Sequence, residues 1–226
     1  MKLTVIHAFD LPDAWRQCLR EVLQQGYDWT IQRGSFEGHQ RKEFDNICIT
    51  ISNPGTRPLI PETPEGIPPP TDMNYVNNYL HYLITGHKTI DEQYTYGERI
   101  ESQLDTIIDM LRKTPRTNQA CIEVAQPADI TLSDPPCLRL IDCRIRYGRL
   151  HFFVYFRSWD LWGAFPPNLA ALQLVKEYMA AQIGVEDGVF NAWSKGLHLY
   201  DYQWKLAQEL VTPRGRIRAY SPETRN

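Results

Sequence analysis

The order of the predicted elements indicates an α+β fold built as a single domain. The chain has 226 residues, 42% of them hydrophobic, and this is enough to bury one sizeable core. Three β-rich runs follow one another between residues 120 and 156 with no helical pattern between them, so a regular βαβ alternation is not expected. No internal repeat divides the sequence. We therefore predict one mixed α+β domain over residues 1–226.

After a short first strand, the sequence predicts a helix and a second strand. From Asp13 to Gln25 the apolar residues recur at helical spacing, and Gly26 provides a stop signal. The run from Phe44 to Ile51 alternates and is rich in β-branched residues. Asn53-Pro54-Gly55 follows it as a turn signal, so the chain is expected to change direction there.

Residues 58–70 are too rich in proline for regular structure. A segment of this kind is either an interdomain linker or a loop with a functional position. We favour a loop over the functional site.

The central part of the chain predicts two helices followed by three strands. The helices are Tyr75 to Leu83 and Glu98 to Leu111, and the strands are Ala120 to Val124, Leu138 to Arg146 and Arg149 to Phe156. Tyr147-Gly148 joins the last two strands and predicts an antiparallel hairpin.

The C-terminal part predicts two further helices on either side of a strand. Pro167 can open a helix, and an amphipathic pattern continues to a stop at Gly184. The elements are a helix at Leu169 to Ile183, a strand around Gly188 to Leu197, a helix from Tyr200 to Leu210 and a polar tail over residues 212–226.

The composition argues against several functional classes. A formal net charge of −3 provides no positive surface for nucleic acid or an anionic membrane, and no apolar run approaches the roughly 20 residues that span a bilayer. The five cysteines form no C-x-x-C pair, and the six histidines show no metal-binding spacing. We expect a cytoplasmic protein with reduced thiols that binds no metal, no nucleic acid and no membrane.

Cys137 is the first candidate for chemistry. It follows Asp134-Pro135-Pro136 at a loop-to-strand junction, and a later strand ends in Arg157-Ser158-Trp159-Asp160. Hairpin geometry can bring the two segments together. The guanidinium would then lower the pKa of the thiol, while Arg157 and Ser158 are suitable partners for phosphate oxygens. A cysteine by itself is more often a small buried hydrophobe, so this prediction depends on the cluster.

Three more polar side chains follow. Asn168 lies at the start of a predicted helix, where its amide either caps the helix or reads the edge of a base. His198 and Tyr200 alternate on one face of a predicted strand and are able to hold a sugar hydroxyl. The alternative for His198 is a structural role with its hydrogen bonds satisfied internally.

In this order and spacing, the four segments resemble the thymidylate synthase family. The resemblance runs from about Tyr96 to about Ala207 and includes Tyr96-Gly97, Pro115 and Pro127. It implies a mixed sheet packed with helices, a homodimer, and the conversion of dUMP to dTMP with a one-carbon unit from a reduced pterin.

The resemblance also implies a role for each candidate. Cys137 would attack carbon 6 of the pyrimidine as a thiolate, making carbon 5 nucleophilic. The other implied roles are phosphate binding by Arg33, Arg157 and Ser158, orientation of base and waters by Asp160, recognition of the uracil edge by Asn168, binding of the sugar hydroxyl by His198 and Tyr200, and removal of the carbon-5 proton with help from Tyr96.

The chain departs from the family pattern in its charged residues. Where the family has Ser-Arg-Arg reaching the partner's phosphate, this chain has Arg116-Thr117-Asn118-Gln119, so either Arg116 takes over or the phosphate is held differently. The helix from Tyr75 to Leu83 lacks the family's catalytic Glu, for which Glu62, Glu65 or a water could substitute.

Three other differences concern uncharged positions and the carrier. Phe156 stands where the family usually has Gln, Leu138 stands where it has His, and the carboxyl terminus is polar instead of apolar. These features and the short chain resemble archaeal-type thymidylate synthases. The resemblance therefore implies either methylene-tetrahydrofolate or a methanopterin-like carrier.

Two alternatives remain open. With the same nucleophile, addition of water would make the chain a hydroxymethylase of dUMP, dCMP or CMP, although Asn168 favours uracil. The less favoured alternative is a catalytically silent homologue that binds a nucleotide or RNA.

Overall fold

The computed structural model of the chain describes residues 1–33, 36–88, 90 and 92–212. The predicted polar tail lies outside these residues from position 213 onward. Within them the helices are α1 (Leu11–Gln25), α2 (Met73–Ile84), α3 (Tyr96–Lys113), α4 (Phe165–Ile183) and α5 (Trp204–Val211). The strands are β1 (Leu3–Ala8), β2 (Tyr27–Thr30), β3 (Gln40–Glu43), β4 (Asn46–Ile51), β5 (Cys121–Glu123), β6 (Leu138–Arg146), β7 (Arg149–Phe156), β8 (Trp159–Asp160), β9 (Glu186–Ser194) and β10 (Leu197–Tyr200).

The larger sheet has six strands in the order β1-β4-β9-β7-β6-β5. The β1/β4 and β7/β9 pairs are parallel, whereas β4/β9, β5/β6 and β6/β7 are antiparallel. A mixed sheet that packs on helices confirms the predicted α+β class. The hairpin between β6 and β7 is also confirmed, and its two turn residues, Tyr147 and Gly148, have φ values of 55° and 71°. Both residues lie in the left-handed region that a tight hairpin turn requires.

One face of this sheet is covered by helices and forms the core. The buried residues Phe152 of β7 and Phe190 of β9 lie on strands that pack against α4, and Ile49 lies on β4, which packs against α1. Helices α2 and α3 pack on α4 and complete the layer. The sequence predicted an amphipathic helix after Pro167, but α4 is buried all along its first two turns, from Phe165 to Gln173. A helix that is surrounded by protein needs no polar stripe.

In the part of the chain that the structure describes, no helix covers the opposite, bare face of the six-stranded sheet. Its outward residues include exposed apolar side chains on β1, β7 and β9: Leu3, Val5, Phe153 and Trp193 are between 41% and 54% exposed. Apolar area of this kind on a sheet face marks an interaction surface in many proteins. We call these four residues the bare-face cluster.

The second sheet, ordered β2-β3-β10-β8, was mostly missed by the sequence patterns. Its strands have two to four residues each, which is too short for an alternation to be recognised. The single strand predicted around Gly188 to Leu197 is two strands, β9 and β10, separated at Lys195-Gly196. Likewise, the helix expected from Tyr200 begins at Trp204, after a 3-10 turn at Asp201–Gln203. The small sheet carries part of the site described below.

In the described part of the chain, none of the helices is long and apolar enough to cross a membrane. Residues 58–70 contain no helix or strand. Leu59 and Ile67 anchor this segment because both are buried in the core.

Candidate active site

A cavity of about 740 Å³ is lined by the small sheet, the loop before β6, the segment that follows β7, and helices α2, α3 and α4. Its volume lies within the range of about 300–1,000 Å³ that is usual for small-molecule sites. All nine candidate residues from the sequence line it: Arg33, Tyr96, Cys137, Arg157, Ser158, Asp160, Asn168, His198 and Tyr200. Residues that are up to 167 positions apart, from 33 to 200, therefore meet in one place.

The β6/β7 hairpin brings Cys137 next to Arg157. The backbone N–H of Arg157 donates to the carbonyl oxygen of Cys137 at 2.8 Å. The pKa of the Cys137 thiol is nevertheless raised, because burial outweighs the lowering effects of Arg157 and Arg139, and Asp134 adds a raising effect. Arg157 lowers this pKa as expected, but its effect is smaller than that of burial. Desolvation disfavours the thiolate more than the nearby cation favours it.

The guanidinium of Arg157 is largely engaged with the loop before Cys137. Its Nε donates to the carbonyl oxygens of Pro135 and Pro136 at 3.1 and 3.2 Å. Its Nη2 donates to Asp134 Oδ1 at 3.0 Å and also to the Pro135 carbonyl. Arg157 thus fixes the loop that carries the cysteine. Among the described residues its Nη1 forms no hydrogen bond, so this nitrogen is available to a ligand.

A buried ion pair between α3 and the segment before this loop supports the loop. Arg99 on α3 donates to both carboxylate oxygens of Asp129 at 2.7 and 2.8 Å, and Arg139 lies 3.2 Å from Asp129. The side chains of Arg99 and Asp129 are 6% and 2% exposed. Bonding to Arg99 lowers the pKa of Asp129, so the carboxylate stays charged.

Tyr96 at the start of α3 accepts a hydrogen bond from the backbone N–H of Leu138 at 3.3 Å. Burial raises its pKa, and the neighbouring Cys137 raises it further. The phenol therefore stays protonated at neutral pH. It is suited to donating a hydrogen bond to a water or to the ring, and direct removal of a proton would require an unfavourable phenolate.

Trp159 is a site residue that the sequence analysis did not single out. Its indole Nε1 donates to Asn168 Oδ1 at 2.9 Å, and its ring stacks on Phe156 with centroids 3.9 Å apart. Because the indole is only a donor, it identifies the amide oxygen and leaves Nδ2 for another partner. Asn168 is therefore an oriented amide, and the capping alternative is not what its side chain does.

Asp160 closes the turn between β8 and α4. Its carboxylate accepts hydrogen bonds from the backbone N–H groups of Trp162 and Gly163 at 3.0 and 3.2 Å. Burial raises its pKa despite these two bonds. A carboxyl with a raised pKa beside a cavity is a candidate for acid–base chemistry.

His198 and Tyr200 project into the cavity from β10, as the predicted alternation requires. His198 Nδ1 lies 2.8 Å from the carbonyl oxygen of Gly196 and must be its donor, so Nε2 is an acceptor. Nε2 is buried and has no hydrogen-bond partner among the described residues. Burial lowers the pKa of His198 to about 4 and, for Tyr200, raises it to about 12. Both side chains are neutral at physiological pH, and His198 Nε2 is able to accept a hydrogen bond from an O–H or N–H group.

Three further arginines differ in their position relative to the cavity. Arg33 lines the cavity, while Gly34 and Ser35, the rest of the predicted phosphate loop, lie outside the described residues. Arg41 on β3 also lines the cavity, although no motif indicated it. Arg116 is exposed after α3 and is not among the described residues that form the cavity.

The proline-rich segment does not cover the site as expected. None of residues 58–70 lines the cavity, so Glu62 and Glu65 do not replace the family's Glu there. Helix α2 instead contributes Tyr75 and Tyr79. Burial raises the pKa of Tyr79, and Tyr96, whose ring centroid is 6.4 Å away, raises it further.

Comparison with known proteins identifies the family to which this chain is similar. A family model described as thymidylate synthase matches residues 76–220. A Methanosarcina acetivorans protein named "Putative thymidylate synthase" is 32% identical over 216 residues, which cover 92% of this chain and 94% of the relative. A protein of the same name from Methanothermobacter thermautotrophicus is 28% identical over 223 residues, covering 91% and 97%.

A third relative has another name. The "Deoxyuridylate hydroxymethyltransferase" of Bacillus phage SP01 is 33% identical over 115 residues, which cover 48% of this chain and 30% of the phage protein. The family comprises thymidylate synthase and related one-carbon transferases, and it generally uses a folate-type carrier and binds dUMP. With the model matching well over half of the residues and the relatives spanning nearly the whole chain, the protein belongs to the thymidylate synthase family.

Proposed function

We propose that the protein is a thymidylate synthase that transfers a one-carbon unit to carbon 5 of dUMP and reduces it to the methyl group of dTMP. The observation that carries this proposal is the cavity itself. It places one thiol, Cys137, in the same space as an oriented amide, Asn168, and an unpaired acceptor, His198 Nε2. These are a nucleophile, a group for a base edge and a group for a sugar hydroxyl.

Recognition of the nucleotide follows from the unused hydrogen-bonding groups. The Nδ2 of Asn168 donates to a ring carbonyl of uracil, and its oxygen has a second lone pair for the ring N–H. His198 Nε2 accepts from the sugar hydroxyl, and Tyr200 supplies the adjacent hydroxyl. Ser158, Arg33 and the Nη1 of Arg157 bind the phosphate. A base that lacks the matching edge leaves Asn168 unpaired, which is costly in a buried site.

Cys137 begins the reaction by bonding its sulfur to carbon 6, which displaces the ring electrons toward carbon 5 and the carbonyl. The raised pKa means that the thiolate is a minority form in the free protein. Binding of the ring therefore selects the thiolate that forms beside Arg157. After transfer, the bond between sulfur and carbon 6 breaks as the ring regains its double bond and the carbon-5 proton is lost.

Tyr79 takes the place of the missing glutamate in this proposal. It stands on the helix that lacks a glutamate, lines the cavity with Cys137, and keeps its proton because its pKa is raised. A neutral phenol donates to the ring carbonyl or to a water that exchanges protons with the ring. Tyr96, also protonated, acts at the same end of the cavity.

The one-carbon carrier is a reduced pterin, either methylene-tetrahydrofolate or a methanopterin-like compound. The residues present fit such a ring, because Tyr75, Tyr79 and Tyr96 give the cavity aromatic faces that suit stacking. When bound, the pterin supplies the one-carbon unit and the reducing equivalents for its conversion to methyl.

We also propose that the protein is a homodimer and that it is cytoplasmic. The bare-face cluster is apolar and belongs to a regular sheet, so a second copy can bury it by stacking the same face. Sedimentation of the unaltered protein beside Trp193→Glu tests this surface. We expect a dimer that becomes a monomer in the variant, and a monomer in both would refute it.

The phage relative supports a second candidate, a deoxyuridylate hydroxymethylase in which water replaces the reduction step. Mass spectrometry of the nucleotide product from dUMP and methylene-tetrahydrofolate separates the two. A methyl product that is absent with Cys137→Ala supports thymidylate synthesis. A hydroxymethyl product would establish the second candidate, and the assay is repeated with a methanopterin-type donor if neither forms.

A further inference from the structure

Arg41 lies in the cavity although no sequence motif includes it. It stands on β3, opposite Tyr200 of β10 in the antiparallel register, and its side chain lines the cavity with His198 and Tyr200. Its positive charge contributes to lowering the pKa of His198 and opposes the rise in the pKa of Tyr200. The guanidinium is therefore close to the two residues that bind the sugar in the proposed function.

Arg41 forms an ion pair on its own strand and still has a buried donor without a partner among the described residues. Its Nη2 lies 2.8 Å from Oε2 of Glu43, two residues along the same strand. Its Nε is buried and has no hydrogen-bond partner among the described residues. A guanidinium has five N–H donors, and a buried donor without an acceptor is unfavourable. An acceptor from a ligand would satisfy it.

Arg157 alone does not provide enough donors for a phosphate. Its Nε and Nη2 are bonded to Asp134, Pro135 and Pro136, so only Nη1 remains. Besides Arg157, the arginines that line the cavity in the described part of the chain are Arg33 and Arg41. A phosphate monoester carries up to two negative charges, and these favour more than one cation.

We propose that Arg41 binds the 5′-phosphate of the nucleotide together with Arg33, Arg157 and Ser158. This inference rests on the proposed function, because it assumes that a nucleotide occupies the cavity. The phosphate is attached to the sugar that His198 and Tyr200 bind, which puts it within reach of an arginine beside them. Glu43, whose Oε2 lies 2.8 Å from Nη2, is the ion-pair partner of the guanidinium beside the cavity.

The test compares binding of dUMP with binding of deoxyuridine, which lacks the phosphate. Calorimetric titrations are made with the unaltered protein, Arg41→Gln, Arg41→Lys and a matched control, Arg149→Gln. Arg149 is half exposed at the hairpin turn and pairs with Glu186, remote from the cavity residues. We expect Arg41→Gln to weaken dUMP binding by about 10- to 100-fold with deoxyuridine unchanged, and Arg41→Lys to weaken it less. The control should match the unaltered protein.

Several results would overturn the proposal. Equal losses for both ligands in the Arg41 variants would mean that Arg41 acts on the sugar or on the fold. The phosphate would be bound by other residues if Arg41→Gln and Arg41→Lys still bind dUMP more tightly than deoxyuridine. The same conclusion would follow if Arg116→Gln, and not the Arg41 variants, loses this preference. If the unaltered protein binds neither dUMP nor deoxyuridine, the proposed function itself is refuted. If it binds dUMP and only the role of Arg41 is refuted, the proposed function stands.

Discussion

Lowering the pH from 7 to 5 should destabilise the protein through His198. The imidazole is 3% exposed, and burial together with Arg41 lowers its pKa from 6.5 to about 4. Between these two values the unfolded chain binds a proton that the folded protein does not, so stability falls as the pH falls through this window. From the two pKa values, His198 accounts for a loss of about 2 kcal/mol between pH 7 and pH 5.

Urea unfolding, followed by tryptophan fluorescence at both pH values, measures this loss. The comparison protein is His198→Asn, whose amide can replace the Nδ1 donor to Gly196 but cannot titrate. Other shifted groups contribute to both proteins and cancel, including Asp160 with a raised pKa and Asp129 with a lowered one. We expect the loss to be about 2 kcal/mol smaller in the variant. A difference below about 0.5 kcal/mol would refute a neutral, buried His198.

Four further outcomes are expected. Iodoacetamide should modify Cys137 faster as the pH rises from 7 to 9, because its pKa is raised, and dUMP should protect it; mass spectrometry of the peptides checks both. Trp159→Phe removes the hydrogen bond that orients the Asn168 amide and should weaken dUMP binding by roughly 10-fold, as measured by calorimetry. Unchanged dUMP binding would rule out a positioning role for Trp159. Asp129→Ala should cost about 3–5 kcal/mol in urea unfolding, because Arg99 stays buried without its partner. Tyr79→Phe should lower kcat at least about 10-fold with dUMP affinity kept, and equal turnover would exclude the phenol from proton transfer.

Elements with a long or strongly patterned sequence were predicted well. The bounds of β6 and β7 match the expected runs, and α1, α2 and α3 begin within two residues of their predicted starts. Their apolar residues face a single core, so the period of the sequence reports the geometry directly. The short strands β2, β3 and β8 were missed because two to four residues cannot establish a period, and pairing with distant strands is what makes them strands.

The candidate site shows the same division. Cys137, Arg157, Asn168 and His198 were chosen from residue type, order and resemblance, and the structure brings them into one cavity. Arg41 could not have been chosen, because its position in the cavity depends on β3, a strand that the sequence did not reveal.

The sequence by itself determined the fold class, the main helices and strands, and the family resemblance, because periodicity and motif order are local or linear properties. Tertiary structure alone decided the pKa values and hydrogen-bond partners of the site residues. It decided that Cys137 is buried enough for its pKa to rise, that Arg157 is bonded to the loop, and that Trp159 orients Asn168. It also decided that His198 presents an acceptor that no other described residue pairs with. Desolvation and hydrogen-bond partnership depend on which distant residues pack together, and no spacing along the chain encodes them directly.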